Sequence, residues 1–398
     1  MNFKSLLFLF ALTIVGCTQG QNSEAVIPSQ NRGDIISVSK IGTYSADQIK
    51  QVMISQGYSI PILDHLSFSV DFNKVVYLTT DQHGNLVKAS GTLLIPKTQE
   101  AIPILSIQHG VVFHRSNVTS VNGANVGEGL VGLVTASLGF ATTIPDYIGY
   151  GESNAIHPYL ISKLSSANTI DLLKASKKHF VANNVSLNDQ LFLYGYSEGG
   201  YVTLATQKEI EENYTDEFSI TAVAPLAGPY DMYETMKKTF EAEHYPYIPN
   251  LAFVFTAYNE YYGWNQLDKI FKAPYAQKMT SLFDGNLSAQ EIEAQLPSSF
   301  TELMRPEFVQ SVLNGTAVEV INAFKENTLL NWTPKAPIRF YHGDQDQIVP
   351  YHNATTAYNN LNAPGQQIEL ITLNNKNHST ANIPSVVKTL EWFFQLKE

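Results

Sequence analysis

The sequence predicts an α/β fold in which helices cover both faces of a mostly parallel central sheet. Short apolar runs that suit buried strands alternate with segments of helical spacing along most of the chain. The chain has 398 residues, of which 44% are hydrophobic and 15% are charged, so a large core is available. This length permits two domains, or one α/β domain that carries an insertion.

The predicted strands begin with a hairpin. Residues 70–80 and 86–96 mix apolar and polar side chains around a turn at 81–85. Shorter runs, apolar enough for buried parallel strands, follow at 102–107, 140–144, 191–194, 220–225, 338–341 and 368–373. Helical spacing predicts helices at 130–138, 160–183 and 386–396.

One segment breaks the alternation of strands and helices. Residues 229–332 contain helical patterns and turns but no convincing strand, and they separate two successive core strands. We therefore expect a large helical cap insertion over the carboxyl edge of the sheet, with residues 33–228 and 333–398 forming the core. The cap is rich in Tyr and Phe. Most of these rings are expected to form its own core, and some to line an apolar substrate pocket.

The first 17 residues are predicted to be a targeting segment. Lys4 precedes an apolar run at residues 6–15 that is too short to span a bilayer. The segment ends in Ile-Val-Gly-Cys at 14–17, which resembles the lipobox of bacterial lipoproteins. That resemblance implies a lipid on Cys17, which would become the new N-terminus after cleavage. The alternative is an ordinary secretory signal with a chance cysteine.

Residues 18–32 are polar and are predicted to be a flexible tether between the lipid and the globular body. We therefore expect a lipid-anchored protein of the bacterial cell envelope, periplasmic or surface-exposed. Cys17 is the single cysteine, so the mature body has no thiol nucleophile and forms no disulfide. The formal net charge is −11 at pH 7, and nucleic-acid-binding surfaces are basic, so no nucleic acid is expected as a partner.

The most informative motif lies at residues 194–199, which read Tyr-Gly-Tyr-Ser-Glu-Gly. An apolar run precedes it and a helical segment follows it. Strand, G-x-S-x-G and helix in this order form the nucleophile elbow of the α/β-hydrolases. The serine of such an elbow occupies a sharp, strained turn, so the glycines two positions away avoid collisions of a Cβ atom. Ser197 is therefore the predicted nucleophile.

A serine hydroxyl needs a base, and the base needs a carboxylate that orients it. In α/β-hydrolases the chain order is serine, acid, histidine. Residues 341–350 read Tyr-His-Gly-Asp-Gln-Asp-Gln-Ile-Val-Pro and resemble the H-G-x-x-D-x-x-V-P segment of that superfamily. The resemblance implies Asp346 as the acid. The alternative is Asp344, whose other expected role is to cap the loop by binding backbone N–H groups.

His378 is the predicted base. It follows the strand at 368–373 and precedes the last helix, so it also follows the acid in the chain. The alternatives are His342 and His352, which lie too near the acid in sequence to follow a further strand.

The transition state also needs N–H donors for the developing oxyanion. The strand at 102–107 leads into Gln-His-Gly-Val at 108–111, and the superfamily places one oxyanion donor at a His-Gly turn after this strand. This implies the N–H of Val111, or of Gly110 if the register of the turn differs, together with the N–H of Glu198. Asp146 precedes Ser197, which is the wrong order for the acid, so we expect it to anchor loops near the site.

Several segments together resemble the secretory-lipase-type α/β-hydrolases, a family of esterases and lipases with a large helical cap. They are Q-H-G at 108–110, P-D-Y-x-G-x-G-x-S at 145–153, H-P-Y at 157–159, G-Y-S-x-G-G at 195–200 and H-G-D-x-D-x-x-V-P at 342–350. The resemblance covers residues 70–396. It departs at Glu198, where the family often has an amide such as Gln. A carboxylate beside the oxyanion hole opposes negative charge unless its side chain turns away.

The expected function is hydrolysis of a small-molecule carboxylic ester through an acyl-enzyme, with no cofactor and no metal. The alternative substrate is a peptide, as in prolyl-oligopeptidase-like hydrolases, but the sequence shows no acidic pair committed to binding a peptide amine. The alternative from another class is a surface lipoprotein that binds a ligand and has lost catalysis.

Overall fold

The computed structural model describes residues 30–242 and 245–398. One sheet contains the strands β1 (Ile35–Tyr44), β2 (Val70–Thr80), β3 (Leu86–Pro96), β4 (Ile102–Gln108), β5 (Ala141–Pro145), β6 (Leu187–Tyr196), β7 (Ile220–Leu226), β8 (Ile338–Gly343) and β9 (Ile368–Leu373). Their order across the sheet is β1-β2-β3-β5-β4-β6-β7-β8-β9. β4 to β9 run parallel, whereas β1, β2 and β3 join through antiparallel pairs. The predicted α/β fold with a mostly parallel sheet is confirmed.

The two hairpin strands, β2 and β3, have the bounds that the sequence predicted. They pair in continuous register from Val70 opposite Pro96 to Thr80 opposite Leu86. β1 was not predicted. Its residues are half-buried or exposed, and its pairing with β2 contains two register shifts. This edge strand therefore lacks the apolar run that marks the inner strands.

The helices are α1 (Ala46–Ser55), α2 (Thr119–Asn122), α3 (Gly127–Ser137), α4 (Ser162–Ala182), α5 (Glu198–Asn213), α6 (Met232–Glu241), α7 (Ile248–Tyr261), α8 (Leu267–Ile270), α9 (Met279–Leu282), α10 (Ala289–Glu293), α11 (Phe300–Leu303), α12 (Pro306–Leu313), α13 (Val318–Glu326), α14 (His352–Leu361) and α15 (His378–Leu396). Short 3-10 helices lie at Pro61–His65, Gly123–Asn125 and Ala276–Lys278.

Helices cover both faces of the sheet because alternate strand residues point to opposite sides. Ile104 of β4 belongs to one buried apolar cluster, which also contains residues of α4, α5 and the segment 229–332. Leu105, the next residue, belongs to a second cluster, which contains residues of α1, α3 and α15. The sheet thus separates two apolar layers, and the segment 229–332 belongs to the first of them.

The segment between β7 and β8 contains α6 to α13, and its described residues add no strand to the sheet. Its aromatic rings pack on one another. The ring centroids of Phe253 and Phe283 lie 4.7 Å apart, and those of Phe240 and Phe255 lie 5.8 Å apart. All four side chains are buried, so these rings form the segment's own core.

The last helix is longer than predicted, since α15 begins at His378 rather than at residue 386. Asn377 caps its first turn. The side chain of Asn377 accepts from the N–H of Thr380 at 3.0 Å, and the Oγ1 of Thr380 accepts from the N–H of Asn377 at 2.9 Å. The sequence predicts a loop over residues 374–384 because they are mostly polar and end in a proline. The start of α15 was therefore missed. The N-cap at Asn377 fixes the start of α15, and His378 is the first residue of this helix.

The predicted targeting segment with Cys17, and the tether as far as residue 29, lie outside the described residues. At the end of the predicted tether, the side chain of Arg32 lies 3.0 Å from the buried carboxylate of Asp171. Asp171 also accepts a hydrogen bond of 2.7 Å from Thr79 in β2. The chain is therefore fixed to the sheet from Arg32 onward. None of the helices in the described part of the chain is both long and apolar enough to cross a membrane.

Candidate active site

Ser197 lies in a strained turn between β6 and α5. Its φ of 62° and ψ of −121° fall in a region that residues with a side chain rarely occupy. A Cβ atom on Gly195 would lie 2.5 Å from the carbonyl oxygen of Gln108, and one on Gly199 would lie closer still to the same oxygen. Glycine at both positions is therefore what allows the elbow to approach the end of β4.

The structure brings Ser197, His378 and Asp346 together at the carboxyl ends of the parallel strands. The Nε2 of His378 lies 2.9 Å from the Oγ of Ser197, and its Nδ1 lies 2.6 Å from the Oδ2 of Asp346. Ser197 follows β6, Asp346 follows β8, and His378 begins α15 after β9. When Nδ1 donates its proton to the carboxylate, Nε2 can accept the proton of the serine hydroxyl.

Asp346 is surrounded by hydrogen-bond donors. Its Oδ1 accepts from the backbone N–H groups of Ile348 and Val349 at 3.0 and 2.9 Å. Its Oδ2 lies 2.6 Å from His378 and 3.2 Å from the Nε2 of His342. Burial raises the pKa of Asp346, but the hydrogen bonds to His342 and His378 outweigh burial and lower the pKa to about 2. The carboxylate is therefore charged throughout the range in which a histidine can act as a base.

The alternative acid and bases lie elsewhere. Asp344 accepts a hydrogen bond of 2.7 Å from the N–H of Asn375 and thereby joins the loops that follow β8 and β9. The Nε2 of His342 lies 2.8 Å from the carbonyl oxygen of Val349. His352 begins α14, and burial lowers its pKa to about 4. Among the described histidines, only His378 hydrogen-bonds to Ser197.

The low pKa of Asp346 predicts how the stability of the fold depends on pH. The pKa falls from 3.8 to about 2 on folding, so the stabilisation is complete above about pH 4 and is lost between about pH 4 and about pH 2. It amounts to about 2 kcal/mol. We expect the free energy of unfolding, measured with urea, to fall between about pH 4 and about pH 2 in the wild type. In Asp346→Asn this fall should be smaller by about 2 kcal/mol. Parallel curves for wild type and Asp346→Asn would contradict the prediction.

The predicted oxyanion turn lies directly beside the nucleophile. A Cβ atom on Gly110 would lie 3.8 Å from the Cβ of Ser197, and Gly110, Val111 and Ser197 line the same cavity. Glu198 is the first residue of α5, so its N–H has no acceptor within the helix. The turn and the helix start therefore lie beside Ser197, and the assignment of their N–H groups as oxyanion donors stays a prediction.

Two buried tyrosines hold this turn at both ends. The hydroxyl of Tyr147 donates to the carbonyl oxygen of His109 at 3.0 Å, and the hydroxyl of Tyr150 donates to that of Val112. Both tyrosines belong to the P-D-Y-x-G-x-G-x-S segment. Asp146, in the same segment, accepts from the Oγ of Ser90 at 2.6 Å and from the N–H of Ser120 at 3.2 Å. Asp146 thus anchors this loop, as the sequence predicted, and the loop fixes the turn.

Removing the two hydroxyls should disturb the turn without removing a group that reacts. We expect Tyr147→Phe with Tyr150→Phe to lower kcat for an ester on the order of tenfold, with little change in KM, because misplaced donors weaken transition-state binding. Tyr77→Phe is a matched control, since the buried hydroxyl of Tyr77 donates to the carbonyl oxygen of Asn168 at 3.1 Å, outside the site. Steady-state kinetics would contradict the prediction if both variants behaved alike.

The side chain of Glu198 turns away from the serine and pairs with His157. Its Oε1 lies 2.6 Å from the Nε2 of His157, and both residues are buried. The Nδ1 of His157 lies 2.8 Å from the carbonyl oxygen of Ile148. That oxygen can only accept, so Nδ1 carries a proton. The bond between Nε2 and Oε1 then requires one more proton, which makes the pair neutral as a whole, as an ion pair or as imidazole and acid.

A partner for the Glu198 carboxylate was not foreseen. His157 belongs to the H-P-Y segment, which the sequence associates with the family but not with Glu198. The two residues are 41 positions apart, and no local spacing joins them. A buried carboxylate next to the nucleophile is a signal that a buried cation or shared proton must lie nearby. That signal could have indicated a partner, but not which residue supplies it.

A model of the secretory lipase family matches residues 119–395. The chain belongs to the secretory lipase family. The prediction of a carboxylic ester hydrolase with the α/β-hydrolase fold is therefore confirmed at the level of the family.

Solved structures of esterases and lipases share the fold of this chain. The chain is similar to the rice cell wall degrading esterase LipA of Xanthomonas oryzae, with 27% identity, a TM-score of 0.80 and coverage of 92% of this chain and 97% of that chain. It is also similar to Candida antarctica lipase A, with 16% identity, a TM-score of 0.70 and coverage of 92% and 82%. At this lower identity the likeness shows the fold alone.

Among curated proteins, a secreted triacylglycerol lipase of Malassezia furfur is 21% identical over 237 residues. The match covers 58% of this chain and 58% of the relative, so the chain spans somewhat more than half the length of that lipase.

In this member of the secretory lipase family, a cavity of about 610 Å³ opens at Ser197 and His378. Residues of α1, α3 and α15 form most of its wall, and none of the described residues of 229–332 lines it. The expectation that aromatic residues of the cap line the substrate pocket therefore stays a prediction. The rings of Phe253 and Phe283 in this segment pack against each other, and Phe253 also packs against Phe113 and Tyr159.

Proposed function

We propose that this chain hydrolyses carboxylic esters through an acyl-enzyme on Ser197, with His378 as the general base and Asp346 as the acid that orients it. One observation carries the proposal: Ser197, His378 and Asp346 form a continuous hydrogen-bonded series of 2.9 and 2.6 Å. The family and its esterase and lipase relatives support an ester as the substrate class.

In the first half of the reaction, the Oγ of Ser197 attacks the ester carbonyl carbon while the Nε2 of His378 takes the hydroxyl proton. The carbonyl oxygen becomes an oxyanion that accepts hydrogen bonds from the N–H groups of Val111, or Gly110, and Glu198. Loss of one such donor typically costs about 2.7–4 kcal/mol of activation free energy. His378 then gives its proton to the alcohol oxygen, the ester bond breaks, and the acyl group remains on Ser197.

In the second half, a water molecule gives a proton to the Nε2 of His378 as its oxygen attacks the acyl carbon. The second oxyanion collapses, the bond to the Oγ of Ser197 breaks, and His378 returns the proton to that oxygen. The charged carboxylate of Asp346 stabilises the imidazolium in both halves. The neutral Glu198–His157 pair leaves the donors at the helix start without an opposing charge.

We further propose how the chain is organised and where it is located. Residues 229–332 act as a helical cap on a core of 33–228 and 333–398. The family and the secreted relative support an extracellular or envelope location, and the lipobox-like sequence supports a lipid anchor at Cys17.

An active-site probe tests the proposal. An alkyl fluorophosphonate should label the wild type at Ser197 and fail to label Ser197→Ala, which should also lose ester hydrolysis. Ser379→Ala is a suitable control, because Ser379 is exposed and lines the same cavity, and it should be labelled like the wild type. A wild type that neither reacts with the probe nor hydrolyses any ester would instead favour a binding protein without catalysis.

A further inference from the structure

The loop that carries the oxyanion turn, residues 109–118, runs directly against the segment 229–332. The backbone N–H of Arg115 in this loop donates to the carbonyl oxygen of Gly285 at 2.8 Å. The Nη2 of the same arginine donates to the carbonyl oxygen of Asp284. The backbone and the side chain of one residue therefore both bind the turn that lies between α9 and α10.

Arg115 is also bound to the loop after β5. Its Nη1 donates to the Oδ1 of Asn154 at 2.5 Å, and its carbonyl oxygen accepts from the N–H of Gly151 at 3.0 Å. The same loop carries Tyr147 and Tyr150, whose hydroxyls hold the oxyanion turn. Arg115 therefore joins the oxyanion loop, the loop after β5 and the segment that we propose as a cap.

Apolar packing holds the oxyanion loop against the proposed cap as well. Phe113 of this loop is buried, and its ring centroid lies 5.7 Å from that of Phe253 and 6.1 Å from that of Phe283. Val111 and Val112, at the oxyanion turn itself, pack against the apolar cluster that contains these rings. The position of the turn therefore depends on the position of the proposed cap.

The shape of Gly285 fits this contact. Its φ of +84° lies in the left-handed region, and a Cβ atom there would lie 3.2 Å from both the Cβ and the Nε of Arg115. The Nε of Arg115 is buried and has no hydrogen-bond partner among the described residues. The other two nitrogens donate to neutral oxygens on two different parts of the chain. The guanidinium thus acts as a link between them rather than as half of an ion pair.

We propose that Arg115 is a positioning residue for the reaction, because it couples the proposed cap to the oxyanion turn. The N–H groups of the turn reach the geometry that the oxyanion needs while the turn between α9 and α10 lies against Arg115. Arg115 does not line the cavity at Ser197, so it acts through the turn and not on the substrate. The inference rests on the proposed function and gives the cap a role that needs no contact with substrate.

Kinetics on p-nitrophenyl acetate test this inference, with kcat expressed per site titrated by an alkyl fluorophosphonate. In Arg115→Ala we expect kcat to fall about tenfold and KM to change by less than about threefold, because displaced donors weaken transition-state binding. Arg115→Lys keeps the charge but not the planar fork, so it should lose nearly as much. Guanidinium chloride, too dilute to unfold the protein, should raise kcat of Arg115→Ala by at least about threefold.

A variant on the cap side tests the coupling itself. Gly285→Ala places a methyl group against Arg115 and should lower kcat by a similar factor. The two changes break the same contact, so the double variant should stay within about twofold of Arg115→Ala alone. Gly315→Ala is the matched control for backbone strain, since Gly315 has a φ of +76° but a Cβ atom there would meet nothing within 4 Å.

Arg305→Ala is the control for loss of an arginine, because the Nε of Arg305 donates to the carbonyl oxygen of Asp268 within the proposed cap. Both controls should keep kcat within about twofold of the wild type. If Arg115→Ala does not fold, Arg115→Lys and Gly285→Ala still supply the test.

Three results would overturn the inference alone. The first is an Arg115→Ala variant that loses free energy of unfolding in urea but keeps the wild-type kcat per site. The second is full activity in Arg115→Lys, and the third is losses in Arg115→Ala and Gly285→Ala that multiply in the double variant. A wild type that neither reacts with the fluorophosphonate nor hydrolyses the acetate would overturn the proposed function, and this inference with it.

Discussion

Replacing Asp346 with asparagine is expected to lower kcat for ester hydrolysis by about 10⁴-fold, with a much smaller change in KM. The Oδ2 of Asp346 lies 2.6 Å from the Nδ1 of His378, which fixes the proton on Nδ1 and leaves Nε2 as the acceptor. An asparagine amide can donate to Nδ1, and the proton then moves to Nε2, where the imidazole no longer accepts the proton of Ser197. Steady-state kinetics on p-nitrophenyl acetate measures the effect.

Asp344→Asn is the matched control for this prediction. Asp344 lies in the same loop and accepts a hydrogen bond from the N–H of Asn375 at 2.7 Å, and the asparagine oxygen can still accept it. We expect a change in kcat of less than about threefold. The opposite ranking of the two variants would show that Asp344, not Asp346, is the acid.

The sequence predicts the inner part of the fold well because burial there is complete. Every residue of β4 and β5 is buried, so each strand is marked by an apolar or small-residue run. β1 and α1 were not predicted, since β1 is an edge strand with no buried residue and α1 buries only Ile49 and Met53. Such elements gain their order from the sheet and helices on which they lie, which a local pattern does not contain.

Site residues could be predicted where a local motif marks them, and could not where their contacts depend on tertiary packing. Ser197, Asp346 and His378 each follow a core strand, and the carboxyl ends of parallel strands meet at one edge. Chain order and local motifs therefore suffice to bring them together. The partner of Glu198 depends on how the loop after β5 folds over the start of α5, and no motif records that contact.

The cavity beside Ser197 is an apolar surface that the sequence argument did not predict. The density of rings in 229–332 favours a substrate pocket there, but Phe253, Phe255 and Phe283 are fully used in packing, at 3% exposure or less. Many of the residues that line the cavity are Val, Leu and Ile residues of helices that also build the core. Only the positions of Ser197 and His378 distinguish the cavity side of those helices from the core side.

Replacing His157 with phenylalanine should have the largest effect on stability. Phenylalanine keeps a ring against Tyr150, whose centroid lies 4.6 Å from that of His157, but it removes the partner of a carboxylate that is 1% exposed. The other oxygen of Glu198, Oε2, has no hydrogen-bond partner among the described residues. Breaking a buried pair in this way typically costs about 3–5 kcal/mol. Urea unfolding should show this loss, and kcat should fall because an unpaired charge then lies beside the oxyanion donors.

Combining His157→Phe with Glu198→Gln shows whether the loss of stability comes from the buried charge or from packing. In Glu198→Gln alone, the amide can donate to the Nε2 of neutral His157, so we expect kcat within about threefold of the wild type and little loss of stability. In His157→Phe with Glu198→Gln, the buried group is polar but uncharged, and the penalty should fall to about 1–3 kcal/mol. If the double variant is no more stable than His157→Phe, the loss comes from the bond of His157 to the carbonyl oxygen of Ile148 or from packing. In that case the neutral pair would not be what protects the oxyanion site from the Glu198 carboxylate.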